Sequence, residues 1–544
     1  MKASDLLVRC LENEGVKHIF GIPGEENLDV MDSLLDSTIQ FITVRHEQGA
    51  AFMADVYGRL TGKAGVCLAT LGPGATNLIT GVADANMDNA PIVAIAGQAS
   101  TARLHKESHQ VLNLVNLFQP ISKYSTQILT PDVIPEIIAK AFKVAEAEKP
   151  GCSFIDLPEN IAEMEVTDKV PLKVLRHLPP VPPKEKIRQA AKLITSAKYP
   201  IIMAGNGVIR SNASVELVAC AEKLNIPVAT TFMAKGAIPF SHRLSLGAVG
   251  LQATDYVSCG FDRADVIICI GFDMVEYHPY LWNKDKTSQI IHVNELPAEV
   301  DEYYSVNVGV IGNIGDAMHH FAEYVEPKKP EIWKHLREVI VEEMQTHSQD
   351  TAFPIKPQKI LWDLRQTLAP KDIVISDVGA HKMWVARMYK TESPNTCIIS
   401  NGFAAMGIAL PGAIAAKIVY PEQVAVAVTG DAGFMMNCQE LETAMRIGTP
   451  IIVLIWNDSS YGLIKWKQEV QFSRLSHIDF TNPDFVQLAE SFGAKGYRVE
   501  RTEDLLPTLK QAINDNTVVV IDCPVDYNEN MKLTDKLGHL VCPI

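Results

Sequence analysis

The stretch VAVAVTGDAGFMMNCQELETAMRIGTPIIVLIWNDSSY, residues 424–461, decides the fold class of this sequence. Two apolar runs of strand length, Val424–Thr429 and Ile451–Trp456, flank a helical pattern from about Cys438 to Ile447. Strand, helix and strand in this order are typical of a parallel sheet that helices cover on both faces. We therefore predict α/β structure in which the loops after both strands meet at one edge of the sheet.

The same alternation of strand and helix patterns occurs in two earlier blocks of the 544-residue chain, and two seams separate the three blocks. The first seam, Leu178–Lys184, contains four prolines and is incompatible with a helix or a sheet interior. The second seam, Thr346–Pro357, is polar and then punctuated by proline. We predict three doubly wound parallel-sheet α/β domains, at residues 1–170, 185–345 and 357–544.

Composition and charge exclude several classes of function. The net charge is −15 and basic residues do not cluster, so nucleic acid is not an expected partner. No apolar run approaches the roughly 20 residues that span a bilayer, and the first helical pattern, Met1–Val16, carries charges that a secretory signal would exclude. Ten scattered cysteines without a C-x-x-C pair indicate reduced, mostly buried thiols. We therefore expect a cytoplasmic protein with no membrane partner.

The two loops after the strands of the opening stretch contain residues suited to a metal and a phosphate. Gly430-Asp431-Ala432-Gly433 follows the first strand, and Asn457-Asp458-Ser459-Ser460-Tyr461 follows the second. Asp431 and Asp458, 27 residues apart, offer carboxylate oxygens to a divalent cation, while the glycines let the backbone approach a phosphate. Taken alone, Asp431 is better explained as a helix cap or turn residue. The pair at this spacing favours Mg²⁺ that bridges a diphosphate.

These two loops resemble the signature of thiamine-diphosphate (ThDP) enzymes, which is Gly-Asp-Gly followed further along the chain by Asn-Asn or Asn-Asp. Two positions differ, because Ala432 stands where glycine is usual and Asp458 stands where asparagine is commonest. Neither change removes an oxygen ligand. The resemblance implies ThDP and Mg²⁺ as cofactors, with Mg²⁺ held by Asp431, Asp458 and the Ser460 carbonyl. It implies cofactor contacts at Gly430, Asp431, Ala432, Gly433, Asp458 and Tyr461.

Two upstream segments resemble further parts of the same site. Asp377–His381 follows the strand Ile373–Ser376 and is similar to the family's second diphosphate-binding loop, which implies cofactor contacts from Ala380 and His381. Met406 stands in a segment similar to the one that places an apolar side chain beneath the bent cofactor. Each has an ordinary alternative, which is a plain strand-to-helix turn for the loop and core packing for the methionine.

The first block supplies a candidate catalytic acid. The run Phe41–Val44 reads as a strand that delivers Glu47 at its carboxyl end, before a helix over Gly49–Leu60. A carboxylate hydrogen-bonded to the aminopyrimidine of thiamine promotes the tautomer that removes the C2 proton, and the resemblance assigns this catalytic role to Glu47. Without the neighbouring motifs, Glu47 would be interpreted as a solvated residue at a helix N-terminus.

Among ThDP enzymes, the sequence is most similar to the FAD-free catabolic acetolactate synthases, from Gly21 to about Tyr527. His109-Gln110 stands where pyruvate decarboxylases have adjacent histidines, and the resemblance gives Gln110 a catalytic role near the second substrate. It implies further substrate contacts at Phe118, Lys123 and Lys467. The middle block lacks the Arg-Phe-Asp-Asp-Arg motif of flavin-binding synthases and lacks a G-x-G-x-x-G loop, so FAD is expected to be absent.

The resemblance implies an acetolactate synthase, a carboligating transferase with lyase chemistry that condenses two pyruvate molecules to 2-acetolactate and releases CO₂ through a ThDP enamine. The substrate is a small 2-keto acid, and the cofactor lies between subunits of a homodimer at minimum, or of a homotetramer. Three alternatives stay open: a ThDP-dependent 2-keto acid decarboxylase, a flavin-dependent pyruvate oxidase, and a cofactor-binding protein without turnover. The acceptor keto acid, and the choice between acetoin formation and branched-chain amino acid biosynthesis, also stay open.

Overall fold

The computed structural model describes residues 1–175, 178–250, 256–329 and 331–531. This part of the chain contains three six-stranded sheets, and every ladder between their strands is parallel. Helices connect most consecutive strands, as parallel pairing requires. The prediction of three doubly wound α/β domains is confirmed.

The first domain is built on a sheet whose apolar strands are almost fully buried. Its strands are β1 (His18–Gly21), β2 (Gln40–Thr43), β3 (Gly65–Ala69), β4 (Ile92–Gln98), β5 (Tyr124–Gln127) and β6 (Cys152–Pro158). Its helices are α1 (Ala3–Glu14), α2 (Leu28–Leu34), α3 (Glu47–Thr61), α4 (Pro73–Met87), α5 (Leu114–Phe118), α6 (Ile134–Glu146) and α7 (Glu159–Ala162). The strand order is β2-β1-β3-β4-β6-β5, so the winding reverses between β1 and β3.

The middle domain has a sheet of different order. Its strands are β7 (Pro200–Ala204), β8 (Val228–Thr230), β9 (Ser245–Ala248), β10 (Val266–Ile270), β11 (Gln289–Asn294) and β12 (Val306–Ile311). Its helices are α8 (Lys184–Ser196), α9 (Gly207–Arg210), α10 (Ser214–Leu224), α11 (Tyr256–Arg263), α12 (Ile314–Tyr324) and α13 (Glu331–Glu343). The strand order is β12-β11-β10-β7-β8-β9, and the winding reverses between β7 and β10.

The third domain repeats the topology of the first. Its strands are β13 (Ile373–Ser376), β14 (Cys397–Ile399), β15 (Ala425–Gly430), β16 (Ile452–Asn457), β17 (Lys495–Arg498) and β18 (Val519–Pro524). Its helices are α14 (Pro357–Thr367), α15 (Ala380–Met388), α16 (Ala409–Val419), α17 (Asp431–Asn437), α18 (Glu440–Arg446), α19 (Gly462–Phe472), α20 (Phe485–Ser491) and α21 (Leu505–Asp515). The order β14-β13-β15-β16-β18-β17 places the topological switch point between β13 and β15. Ligands of such sheets bind at the carboxyl ends of the strands beside this point.

The first and third domains pack against each other within one chain. Helix α3 lies against α16, and most residues of both helices are buried. A β carbon at Gly412 would lie 2.9 Å from the Val56 side chain, so the missing side chain lets the two helices approach closely. One apolar cluster contains buried residues of both domains, including Phe52 and Ile414. This packing brings the loops around the start of α3 close to α17 and α18.

Two helix boundaries differ from the prediction. The helix expected from about Cys438 to Ile447 is α18, at Glu440–Arg446, and a further short helix that was not expected, α17, precedes it from Asp431, directly after β15. Helix α3 begins two residues earlier than expected, at Glu47. The His46 side chain causes this, because it accepts a hydrogen bond from the Gln48 backbone N–H at 3.1 Å and so caps the helix.

Other expectations concern the thiols, the membrane and the domain limits. Of the nine cysteines among the described residues, eight are free thiols and seven of these are buried, but Cys259 is disulfide-bonded, so the expectation of reduced thiols is wrong at that position. Across the described residues, no helix has the length and apolar character needed to cross a bilayer. The three sheets lie within the predicted domains. The limits of those domains stay a prediction, and residues 532–544 of the third lie outside the described residues.

Candidate active site

Glu47 is a buried carboxyl group at the carboxyl edge of the first sheet. It is the first residue of α3 and lies just beyond β2. Only 8% of its surface is exposed, and the Asn77 side-chain amide donates a hydrogen bond to Oε2 at 2.9 Å. A β carbon at Gly74 would lie 3.4 Å from Oε1, so the glycine at the start of α4 leaves room beside this oxygen. Glu47 is therefore a fixed group with little solvent contact, and not the solvated helix residue of the alternative interpretation.

The segment that carries Glu47 is held from the third domain. The Glu440 carboxylate on α18 accepts hydrogen bonds from the backbone N–H groups of Arg45 and His46, at 3.1 and 3.0 Å. The Thr443 hydroxyl donates a further bond at 2.6 Å. Burial raises the pKa of Glu440, and these donors oppose the rise. Sequence reasoning missed Glu440, because a glutamate within a helical pattern gives no sign of a partner 395 residues away.

Asp431 and Asp458 meet at the carboxyl edge of the third sheet, as their positions after β15 and β16 predict. Asp431 Oδ2 accepts hydrogen bonds from the Ser459 backbone N–H at 2.7 Å and from the Asn482 side-chain amide at 2.8 Å. The Ser460 hydroxyl donates to Asp458 Oδ2 at 2.6 Å. Burial, and then the neighbouring Asp431, raises the pKa of Asp458 to about 6. A cation between the two carboxylates would relieve this repulsion.

The protein groups at this edge supply only part of the ligands that a metal ion needs. Within the part of the chain that the structure describes, no cluster of three His, Cys, Asp or Glu side chains could hold a metal. Two carboxylates, the backbone carbonyl of residue 460 and oxygens from a phosphate would complete a site for Mg²⁺, which prefers few protein carboxylates together with substrate phosphates. Asn482 was not expected from the sequence, because it lies 51 residues beyond Asp431 in a loop without a motif.

The loop after β13 lies across the switch point from the Asp431 loop. Its helix, α15, begins at Ala380 and carries the buried His381, of which 3% is exposed. β carbons at Gly379 and Gly430 would lie 2.8 and 3.3 Å from His381 Cε1, so both glycines make room for the imidazole. Burial lowers the pKa of His381 to about 3, which keeps the ring neutral. The N-terminus of α15 thus presents backbone N–H groups at this edge, as a phosphate site requires.

Met406 lies half-buried in the loop between β14 and α16, and neighbouring carboxylates fix that loop. Asp84 of the first domain accepts a hydrogen bond from the Ser400 hydroxyl at 2.7 Å. Asp377 accepts one from the Gly407 backbone N–H at 2.8 Å. The structure therefore brings Met406 next to the loop after β13, on the side that faces the first domain.

A buried charge cluster stands behind this loop. The Arg59 guanidinium contacts Asp55 at 2.5 Å, Asp88 at 2.9 Å and Asp84 at 3.3 Å. Asp88 also accepts a hydrogen bond from the Asn401 backbone N–H at 2.9 Å. Burial, and then Asp88 and Asp55, raises the pKa of Asp84 well above its ordinary value. Buried charges are stable only while their partners stay in place, so the cluster fixes the loop against α4.

Comparison with known proteins identifies the family. Models described as the N-terminal TPP binding domain, the central domain and the C-terminal TPP binding domain of thiamine pyrophosphate enzymes match residues 1–117, 187–321 and 377–523. An acetolactate synthase of Bacillus subtilis (strain 168) is 37% identical, over 98% of this chain and 95% of its own length. The chain belongs to the acetolactate synthase family of thiamine pyrophosphate enzymes.

Two further members of the acetolactate synthase family show the same full-length similarity. A catabolic acetolactate synthase of Raoultella terrigena is 36% identical, over 99% of this chain and 97% of its own length. A probable acetolactate synthase large subunit of Methanocaldococcus jannaschii is 36% identical, over 99% of this chain and 94% of its own. The resemblance drawn from the sequence motifs is confirmed at the level of the family.

Of the substrate residues expected for an acetolactate synthase, the structure brings Gln110 toward Glu47. Gln110 has a left-handed backbone with φ of 57°, and a β carbon at Gly72 would lie 2.9 Å from Gln110 Cβ. Gln110 therefore packs against Gly72, two residues before the Gly74 that adjoins Glu47. Lys467 is exposed on α19, a helix without buried residues that follows the Asp458 loop. Tyr461, just before this helix, is 41% exposed.

The structure places Phe118 and Lys123 away from Glu47, and their contact with substrate stays a prediction. Phe118 is fully buried, and its ring stacks on Phe154 with centroids 3.9 Å apart. Lys123 precedes β5, and its Nζ donates hydrogen bonds to the carbonyls of Ala147 and Lys149, both at 2.7 Å. Both residues come before β5 and so lie toward the amino edge of the sheet, whereas Glu47 lies at the carboxyl edge.

The third domain fits the ThDP that the acetolactate synthase family implies. Three buried polar atoms have no hydrogen-bond partner among the described residues and belong to side chains that adjoin one another: His381 Nε2, Trp456 Nε1 and the Tyr527 hydroxyl. Ring centroids of Trp456 lie 6.3 Å from His381 and 6.2 Å from Tyr527. Buried polar groups are normally paired, so an unpaired group here indicates a place for a ligand.

Proposed function

We propose that this protein is an acetolactate synthase that condenses two molecules of pyruvate to 2-acetolactate, with release of CO₂, and that it uses ThDP and Mg²⁺. The observation that carries the proposal is the buried Glu47 carboxyl group, held by Asn77 at 2.9 Å in a chain similar to acetolactate synthases over nearly its full length. A protein that only bound the cofactor would not need this acid.

ThDP, when bound, supplies the carbon nucleophile and the electron sink that decarboxylation of a 2-keto acid requires. Asp431 and Asp458, with the Ser460 carbonyl, would hold Mg²⁺ and through it the diphosphate. The N-terminus of α15 at Ala380 and His381 would face the same diphosphate. Glu47 would hold the proton shared with the aminopyrimidine ring and move it as the ring changes tautomer.

Which product forms depends on the residues that contact the second substrate. Gln110 lies on the glycine loop beside Glu47, where it would orient the carbonyl group of the second pyruvate. Exclusion of water at this point favours bond formation to the acceptor over protonation, which would release acetaldehyde. Lys467 on the exposed helix α19 is the proposed contact for the acceptor carboxylate.

We propose that the protein works without FAD, because one of its own carboxyl groups fills the first strand-to-helix turn of the middle domain. Glu276 accepts hydrogen bonds from the Asn206 backbone N–H at 3.1 and 3.0 Å and from the Asp273 N–H at 3.0 Å. The Thr231 hydroxyl donates to it at 2.5 Å. A β carbon at Gly205 would lie 2.8 Å from Glu276 Oε1. A nucleotide phosphate would have to displace this carboxyl group from the same N–H groups.

The proposed assembly is a homodimer at minimum, or a homotetramer, with each cofactor between two subunits. Large apolar side chains are exposed around the carboxyl edge of the third domain, including Phe403 at 43%, Met436 at 43% and Ile464 at 48%. Exposed apolar groups gathered in this way are typical of a surface that a partner covers. The cytoplasmic location, and the choice between acetoin formation and branched-chain amino acid biosynthesis, stay predictions.

The deciding experiment is incubation of the purified protein with pyruvate, ThDP and Mg²⁺, followed by identification of the product. We expect 2-acetolactate, which acid treatment converts to acetoin. Acetaldehyde as the main product would replace the proposal by a 2-keto acid decarboxylase. A product that forms only with flavin and oxygen would indicate a pyruvate oxidase, and binding of ThDP without any product would indicate a protein without turnover.

A further inference from the structure

Tyr527 lies beside the Asp458 loop, although no sequence motif marks it. It follows β18, and its ring carbons Cδ2 and Cε2 would lie 3.2 Å from a β carbon at Gly462. The same β carbon would lie 3.4 Å from Asp458 Oδ2, so Tyr527 and Asp458 flank one glycine. The other side of the Tyr527 ring adjoins Trp456, as the centroid distance of 6.2 Å shows.

The Tyr527 hydroxyl is a buried donor that lacks an acceptor among the described residues. Trp456, whose ring adjoins that of Tyr527, also adjoins the ring of His381 in the first turn of α15, with centroids 6.3 Å apart. A buried hydroxyl donor thus lies beside Asp458 of the candidate metal site and near the start of α15.

We propose that the Tyr527 hydroxyl donates a hydrogen bond to the diphosphate group of the bound cofactor, at the N-terminus of α15. A buried hydroxyl without an acceptor is unfavourable, and a diphosphate oxygen supplies the acceptor that the described residues do not. A neutral tyrosine hydroxyl can donate to an anion and adds no further negative charge beside Asp431 and Asp458. Tyr527 is a binding residue in this proposal and takes no part in proton transfer.

The test is Tyr527→Phe, which removes one oxygen atom and keeps the ring. We expect the Kd of apoenzyme for ThDP with Mg²⁺ to rise roughly tenfold, since a hydrogen bond to a charged group is lost. Calorimetry or tryptophan fluorescence measures this Kd without turnover. Inorganic diphosphate with Mg²⁺, used as a second probe, should lose affinity by a similar factor.

Tyr497→Phe is the matched control, because its hydroxyl bonds Asp515 at 2.7 Å on the edge strand β17. It should leave both Kd values unchanged. A purely structural role for Tyr527 makes the opposite prediction: Tyr527→Phe would lower the melting temperature of the apoenzyme and leave the Kd values alone. That result would overturn the proposal.

A second measurement does not depend on the folding of a variant. In enzyme labelled with 3-fluorotyrosine, the ¹⁹F resonance of Tyr527 should shift when diphosphate and Mg²⁺ are added, and that of Tyr497 should not. An unmoved Tyr527 resonance at saturation would overturn the proposal. The inference rests on the proposed function, and different results would contradict each of them. If the wild type binds neither ThDP nor diphosphate, the proposed function and the role of Tyr527 are both wrong. If the wild type binds them and the Kd values of Tyr527→Phe are unchanged, only the role of Tyr527 is wrong.

Discussion

The Asp84 carboxylate in the first domain accepts a hydrogen bond from Ser400 Oγ in the third domain, at 2.7 Å. Asp84 lies on α4, the helix that also carries Asn77, the hydrogen-bond donor to Glu47. Helix α4 therefore contacts the candidate acid at one end and the loop before Met406 at the other. One helix of the first domain therefore positions both the donor to Glu47 and an acceptor for the third domain.

The loop before Met406 should depend on the buried carboxylates of α4. We expect Asp88→Ala to lower the free energy of unfolding by about 3 kcal/mol, because it removes one of the three carboxylates around Arg59 and leaves the N–H groups of Asn401 and Gly402 without an acceptor. ThDP affinity should fall with it. Denaturant unfolding and ThDP titration measure the two effects. As a control, Asp32→Ala removes only an exposed contact to Lys2 at 3.5 Å and should change neither, and equal effects of the two variants would contradict this role.

Glu47→Gln separates activation of the cofactor from its binding. The amide keeps the shape of the side chain and can still accept the Asn77 hydrogen bond, but it cannot exchange a proton with the aminopyrimidine. We expect ThDP to remain bound while turnover falls by about 10²- to 10⁴-fold. The rate of exchange of the thiazolium C2 proton, followed by NMR, should fall in parallel. An unchanged exchange rate in this variant would argue against Glu47 as the activating acid.

The parts of the site that the sequence predicts are those that follow strands. Asp431 and Asp458 can be paired from their sequence positions alone, because the carboxyl ends of neighbouring parallel strands meet at one edge. Glu440 and Tyr527 cannot, because their partners are distant in sequence and no local pattern marks them. The position of Phe118 could not be predicted either, because its short helix precedes β5 and its ring turns into the domain core, which a count of motif positions does not reveal.

Removal of the metal should release the cofactor. Asp431→Ala deletes one of the two carboxylates at the proposed Mg²⁺ site, so we expect ThDP to be lost on gel filtration, and a chelator should have the same effect on the wild type. Asp526→Ala is a suitable control, because Asp526 lies in the same domain and its carboxylate bonds only the Asn528 N–H at 3.0 Å among the described residues. Full activity of Asp431→Ala at the wild-type ThDP concentration would contradict the assignment of the metal site.

The middle domain should show a pH dependence that originates at Glu276. Burial, and then Asp273, raises its pKa to about 8, while the Thr231 hydroxyl and Arg210 oppose the rise. A carboxyl group whose folded pKa is raised contributes stability at low pH that is lost as the pH rises through the folded pKa. We expect the melting temperature of the wild type to fall relative to Glu276→Gln between pH 5 and about pH 8, the upper limit being set by this pKa. The exposed Glu299→Gln is the control, and parallel curves for wild type and Glu276→Gln would contradict the assignment.

Assembly gives the last test, because the two halves of the proposed site lie in different domains of the chain. Glu47 is on the first domain, and Asp431 is on the third. If each cofactor lies between subunits, Glu47 of one chain and Asp431 of the partner subunit serve the same site. Glu47→Gln and Asp431→Ala chains are then inactive alone but complement each other when mixed. A hybrid C₂ dimer has one site with both defects and one with neither, so a random mixture should recover about a quarter of wild-type activity. Exchange of subunits is checked separately with differently tagged chains. If the chains exchange and no activity returns, both groups act within one chain and the shared site is wrong.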